Sequence, residues 1–380
     1  MNTVKHHQIA VDIRSIQRTP YTGVEYYLIH LLSEWLSMRK NELFNLYANE
    51  YKSFSLNESL SAYNVTQSKI PNKLLNTSLA FFNRPNISSY ISERVVFLPN
   101  QNFIKLDASK KLVFYVHDIS FIRFPELFSR KRRMWHSFVN IKSLLKRANS
   151  IITGSTFTAE ELKQVFPSET DNKIITFPLG VDSSYFITPE CNPDTLSTGH
   201  NVPDCFILHI GTIEPRKNIE TVIHTFNAIA KKDNNLHLVL VGKIGWKSKK
   251  VFHMIKNSPY KSRILYTGYV SEDDKKLLFS KALAFVFPSW YEGFGLPPLE
   301  AMAAGCPVVA SSVSAIPEVV GDAGILVQPY QTEDFIHSVK TLLKDSQLRK
   351  EFSEKGKMRA SRFSWQETAK KTLDVLTGQL

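Results

Sequence analysis

Cysteine is scarce in this chain. Three occur in 380 residues, Cys191, Cys205 and Cys306, with no paired spacing. That argues against a disulfide framework and against a cysteine-ligated zinc site. Long apolar runs are missing as well, since none approaches the ~18 residues that a membrane-spanning helix needs. The opening MNTVKHHQIAVDIRS turns polar before any apolar stretch reaches signal-peptide length, so the chain is expected to be cytoplasmic. It has no G-x-G-x-x-G fingerprint, no P-loop and no Asp-x-Asp pair to hold a metal beside a phosphate. Acidic residues are in deficit, 35 against 47 Lys and Arg, for a formal net charge of +12. The excess asks for an anionic partner, and a phosphorylated ligand, an anionic lipid and a nucleic acid all meet that description. With no nucleic-acid recognition motif in the chain, nucleic acid is not an expected partner.

Hydrophobic residues make up 43% of the sequence, and 380 residues are more than one ordinary core accommodates. Short β-branched and aromatic runs recur at even spacing: QIAVDI, RVVFLP, KLVFYVHD, SIITGS and KIITFP in the first half. CFILHIG, LHLVLVG, RILYTG, AFVFPS, PVVASS and GILVQP follow in the second. Apolar throughout and alternating with helix-like segments, they predict parallel strands buried on both faces. SEDDKKLLFSKA, for example, opens with Ser271 as an N-cap and acids in its first turn. The polar stretch from Gly180 to Asp204 holds three prolines and no apolar period. Two doubly wound Rossmann-like domains are therefore expected to face each other across a cleft, with ligands at the carboxyl ends of their strands. The expected divisions are 1–185, a linker at 186–203, and 204–363. The segment from about Ala48 to Ser92, rich in Asn and Ser, yields no assignment.

Trp290 to Gly305, WYEGFGLPPLEAMAAG, sits between a buried strand and a helix. Prolines suit a first helical turn because they lack the N–H that is unpaired there, so Pro297 and Pro298 mark the helix start. The loop Gly293-Phe294-Gly295-Leu296 and the helix N-terminus make a place for phosphate. Glu292 and Glu300 then serve another part of the ligand. Ionised carboxylates only accept hydrogen bonds, and sugar hydroxyls donate them, so a nucleotide sugar uses all these features together. The competing readings are Glu300 as a complement to the helix dipole and Glu292 as a solvated loop residue. Arg216 and Lys217, in GTIEPRKNIE, stand just ahead of a helix whose dipole repels them, and a diphosphate would offset that. His117 and Asp118 end a first-half strand. Gly23 opens a helix in RTPYTGVEYYLIHLL. Seven Lys and Arg lie between Arg130 and Arg147, interleaved with apolar residues at helical spacing, which suits an anionic membrane surface or a solvated basic helix face.

In this order the motifs resemble retaining glycosyltransferases of the GT-B fold, in the large family four (glycosyl transferases group one). The likeness is strongest from HIGTIEPRKN to GILVQP. Glu292 and Glu300, with seven residues between them, match the family's E-x7-E signature. VDIR, RTPYTGVEYY, VHDISFIRFPE and FSWQETAKKTLDVL are similar to bacterial mannosyltransferases of O-antigen and capsule synthesis. The resemblance implies Glu292 at the donor hexose, Glu300 at the nucleotide ribose, Arg216 and Lys217 at the diphosphate, and His117 beside the transferred sugar. Where many members carry an arginine after the glycine of this strand, the chain has Thr212, and Arg216 is expected to supply that charge. A closing helix from about Ser364 is expected to return to the first domain. The implied reaction moves mannose from GDP-mannose to a lipid-linked oligosaccharide or other glycan acceptor, without a metal. A sugar-nucleotide epimerase and a basic nucleic-acid-binding protein are the rival readings. Arg130, Lys131, Arg132 and Arg133 are expected to meet an anionic membrane.

Overall fold

In the computed structural model every pairing between the named strands of the described residues is parallel. The structure describes residues 8–17, 21, 23–50, 58–82, 84–187 and 195–380. Seven strands form one sheet: β1 (Ile9–Asp12), β2 (Phe44–Asn49), β3 (Asn64–Ser68), β4 (Val95–Leu98), β5 (Lys111–Val116), β6 (Ser150–Thr153) and β7 (Ile174–Thr176). Six form another: β8 (Phe206–Ile210), β9 (His237–Val241), β10 (Ile264–Gly268), β11 (Ala284–Phe287), β12 (Val308–Ser311) and β13 (Ile325–Val327). All eleven apolar runs read from the sequence are strands. β2 and β3 join them from the stretch flanking and within the Asn/Ser-rich segment.

Strand order is β3-β2-β1-β4-β5-β6-β7 in the first sheet and β10-β9-β8-β11-β12-β13 in the second. Each sheet is wound outward in both directions from a central pair, β1 and β4 or β8 and β11. At such a reversal the helices leave on opposite faces, which opens a crevice at the carboxyl ends of the two strands. Phe206, Ile207, Leu208, Ala284, Phe285 and Val286 are fully buried at the second of these pairs. The helix Ile219–Ala230 packs on this sheet through Val222, Ile223 and Phe226.

The chain divides into two compact units. One comprises the described parts of 1–119 with 130–180 and 365–380. The other comprises 120–129 with the described parts of 181–364. The short segment Ser120–Ser129 joins the second unit through Trp246, whose Nε1 donates to Leu127 O at 2.7 Å and whose ring stacks on Phe128. Described residues of the polar stretch also attach to the second unit. Tyr185 donates to Glu272 at 2.8 Å, and Ser197 N donates to Asp274 Oδ1 at 3.0 Å. Residues 188–194, with Cys191, lie outside the described residues.

The helix Trp365–Thr377 belongs to the first unit, as the closing helix was expected to. It packs on the helix Gly23–Ser37: the Trp365 ring stacks on His30 with centroids 4.6 Å apart, and Trp35 Nε1 donates to Ala369 O at 2.9 Å. Thr368 Oγ1 adds a bond to Pro178 O. Among the described residues no helix is long and apolar enough to cross a membrane.

Candidate functional site

The second unit brings Arg216, Lys217 and Glu292 into one cluster at the β8–β11 reversal. Arg216 and Lys217 end the turn Pro215–Lys217 that follows β8. Asn218 then takes a left-handed conformation, φ 53°, and starts the helix Ile219–Ala230. Asparagine tolerates that region better than most residues. Its Nδ2 donates to Pro288 O at 3.1 Å and Pro329 O at 2.9 Å, which fastens the β8 turn to the loop after β11. Trp290 N donates to Arg216 O at 2.9 Å, a second tie between the same loops. The loop Glu292–Gly295 is held from the β12 side, where Glu292 N donates to Ser314 Oγ at 3.0 Å. Gly295 has φ +118° and caps the helix Leu296–Ala303, whose first turn carries the expected prolines. Only glycine adopts that backbone without strain. At Gly242, after β9, a Cβ would fall 2.0 Å from Gly211 O, so the loops beside the cluster approach to backbone contact.

Glu292 is the shared acceptor. Lys217 Nζ lies 2.6 Å from its Oε1 and Arg216 Nη1 2.8 Å from its Oε2. Arg216 also donates to Tyr291 O at 2.7 Å and through Nε to Glu214 Oε1 at 3.1 Å. Glu292 and Lys217 side chains are each 10% exposed. Burial works against the Glu292 charge, but Arg216 and then Lys217 outweigh it and hold the carboxyl down at about 2. Burial lowers the Lys217 ammonium below its ordinary value, with Glu292 pulling the other way. Two carboxylates, Glu214 and Glu292, thus face two cations, Arg216 and Lys217, and the cluster is internally neutral.

Glu300 has different neighbours. It sits in the helix Leu296–Ala303, 3.0 Å from Lys275 Nζ, and Lys275 is also 3.0 Å from Glu272. Lys275 and Glu272 lie on the helix Glu272–Lys281, which Ser271 caps by accepting from Asp274 N as its sequence predicts. Burial raises the Glu300 carboxyl above the ordinary carboxylate range. Lys275 opposes that rise, and Glu272 and Asp182 add to it.

His117 and Gly23 lie in the first unit. His117 follows β5, and its Nε2 donates to Pro99 O at 2.9 Å, leaving Nδ1 as the acceptor nitrogen. Burial lowers its pKa to about 4, so the ring is neutral near pH 7. Tyr27 and Tyr115 pack edge-on against it. Gly23 opens the helix Gly23–Ser37 and is exposed. Its neighbours 18–20 and 22 lie outside the described residues.

Glu214, Lys275, Glu272, Asn218, Ser314 and His209 are not marked as site residues by the sequence motifs. Glu214 and Asn218 flank the bases in the same motif, and that adjacency was their signal. The others are brought in from elsewhere in the sequence by the fold. His209, on β8, is fully buried, and its Nδ1 donates to Val286 O at 2.9 Å.

Two doubly wound parallel units in one chain, the second with bases and a glycine loop at its strand-order reversal, define the GT-B fold. Among solved structures, HepE of Anabaena in complex with UDP and glucose matches 98% of this chain and 100% of its own, with a TM-score of 0.73 at 17% identity. The family model of glycosyl transferases group 1 matches residues 196–359. O-antigen chain mannosyltransferase B of Escherichia coli is 33% identical over 277 residues, 72% of each chain. The chain belongs to the glycosyl transferases group 1. It is also 28% identical over 275 residues to the serotype-specific mannosyltransferase WbdA of Escherichia coli, but covers only 34% of that longer protein.

Proposed function

We propose that this glycosyltransferase moves mannose from GDP-mannose to a lipid-linked oligosaccharide or related glycan, with retention at the anomeric carbon. The observation that carries the reading is the Arg216–Lys217–Glu292 cluster at the β8–β11 reversal. Kinship with O-antigen mannosyltransferases supports the choice of sugar. In the proposed complex, donor phosphates take over Arg216 and Lys217 from Glu292. That exchange leaves the Glu292 carboxylate to accept from hexose hydroxyls. The loop Gly293–Leu296 meets the phosphates through its backbone, and Glu300 accepts from the ribose. In the first unit, His117 offers its neutral Nδ1 to a hydroxyl of the transferred sugar, and Gly23 lets phosphate approach its helix.

Catalysis in this scheme is electrostatic. Charge develops on the departing nucleoside diphosphate, and fixed cations and N–H dipoles stabilise it more in the transition state than in the bound donor. Metal is not required, because Arg216 and Lys217 carry the neutralising charge.

The test is a panel of nucleotide sugars in the presence of excess EDTA. It is read by thermal shift and by release of nucleoside diphosphate with mannosyl acceptors. GDP-mannose should give the largest shift and support turnover to an α-linked product. A larger shift and faster turnover with another donor overturn the sugar assignment. Activity abolished by EDTA and restored by Mg²⁺ or Mn²⁺ overturns the metal-free scheme. Quantitative conversion of the donor without acceptor would make the enzyme an epimerase.

A further inference from the structure

The first unit carries an exposed apolar surface that the proposed reaction does not use. Two helices build it, Asn72–Phe82 and Arg130–Val139. Their inner faces are satisfied, since Leu75, Leu79 and Val139 are buried. Their outer faces are not polar. Leu74 is 63% exposed, Phe81 65%, Phe82 73%, Met134 60% and Phe138 45%. The Phe81 and Phe138 rings lie 5.3 Å apart, so the two helices present one continuous patch. Scattered surface leucines need no explanation, but clustered aromatic rings held out into water do.

The charge carried by the two helices themselves has one sign. Neither helix contains Asp or Glu, and Arg130, Lys131, Arg132 and Arg133 are all exposed. Lys73 and Arg84, both exposed, extend the basic rim along the first helix. The four consecutive bases occupy the first turn of their helix, where the macrodipole repels positive charge. An anionic surface outside the protein would relieve that repulsion.

We propose that this two-helix patch docks on a bilayer containing anionic lipid, with the aromatic and aliphatic side chains entering the headgroup boundary and the bases pairing with lipid phosphates. A helix that buries an apolar face in that boundary and keeps Lys and Arg at the headgroups has this composition. Nucleic acid offers the charge but no apolar layer for Leu74, Phe82 and Met134. The docking depends only on the first unit's surface and stands whichever donor or acceptor the enzyme uses.

Sedimentation of the full chain with vesicles tests it. Binding to phosphatidylcholine mixed with phosphatidylglycerol should exceed binding to phosphatidylcholine alone, and high salt should weaken it. Changing Arg130, Lys131, Arg132 and Arg133 together to Ser should lower partitioning by roughly a hundredfold or more. Phe81→Ser with Phe82→Ser should weaken partitioning at least tenfold while leaving its salt dependence intact. These side chains are exposed, so both variants should keep the parent melting temperature, which checks that they fold. Equal binding to neutral and anionic vesicles, or binding to neither, overturns the proposal. So does a basic-cluster variant that binds as the parent does.

Discussion

Replacing Glu292 with Gln removes one negative charge and leaves the shape of the side chain almost unchanged. The Glu292 carboxyl is held at about 2 in the folded protein, against an ordinary glutamate value near 4.5. A folded-state value below the unfolded one contributes stability that is fully present above the unfolded pKa and is lost as pH falls through the folded one. The gap corresponds to about 3 kcal/mol at pH 7, falling to about 2 kcal/mol near pH 3.5. Glu292→Gln should therefore be less stable by about 3 kcal/mol at neutral pH, and the deficit should narrow in acid. Part of the loss arises because buried Lys217 loses its nearest counter-charge, while Arg216 keeps Glu214. A bound diphosphate supplies what the variant lacks. GDP should raise the melting temperature of Glu292→Gln more than that of the parent, while turnover of donor falls severely. Urea melts at the two pH values and thermal shifts with GDP and guanosine measure each arm. A stability change below about 1 kcal/mol together with an unchanged GDP shift would refute the reasoning. Charge removal would then have left the bases undisturbed, and Glu292 would not be what a phosphate displaces.

Lys275→Met should cost about 3 kcal/mol at about pH 8, because it leaves the largely covered Glu300 beside the partly exposed Glu272 without their shared cation. The cost should shrink at about pH 5.5 as Glu300 takes up a proton, and a penalty independent of pH in urea melts would contradict that pairing. His209 has its pKa lowered to about 4 by burial, so it contributes stability above the unfolded value near 6.5 that is lost as pH falls toward 4. Between about pH 6.5 and pH 5 that loss amounts to about 2 kcal/mol, and His209→Gln should flatten stability against pH by about one proton. An unchanged slope would show that this ring titrates normally in the native protein.

The strands legible in the sequence are those whose side chains are apolar on both faces, and β8, β11 and β12 are buried along their whole length. β2 and β3 escaped because their polar residues look like loop. Asn45 is buried in mid-sheet, yet its Nδ2 donates to Glu93 Oε1 at 2.8 Å and to Thr66 Oγ1 at 2.9 Å. Asn64 Nδ2 donates back to Asn45 Oδ1 at 3.0 Å. Once every donor and acceptor is matched, asparagine is no obstacle to a strand, but the matching is made by residues that a linear pattern cannot bring together. The same limit applies to the site. Arg216, Lys217 and Glu292 were each visible because a glycine loop or a helix start lay beside them. That Glu292 grips both bases follows from the β8–β11 pairing, and that Lys275 holds Glu300 follows from two helices packing. The allotment of Ser120–Ser129 to the second unit draws on Trp246, Lys247 and Tyr291, all more than a hundred residues away in sequence.

Those pairings change what the net charge of +12 means. Read from the sequence, the excess belonged in part to a phosphate site built on Arg216 and Lys217. In the structure those cations are balanced by Glu214 and Glu292, and Lys275 is outnumbered by Glu272 and Glu300. In the proposed scheme a ligand phosphate is admitted by exchange with a resident carboxylate, which keeps buried cations paired until a group arrives that can replace it. In the first unit Arg130–Arg133 are exposed, on a helix that contains no Asp or Glu. Burying a cation without a partner is costly, whereas leaving it in water is not. Arg216, Lys217 and Lys275 are paired and recessed, whereas Arg130–Arg133 stand exposed beside an apolar patch. On the two proposals made above, the groups differ in the anion they suit: a small one that enters and displaces Glu292, and an extended one that stays outside.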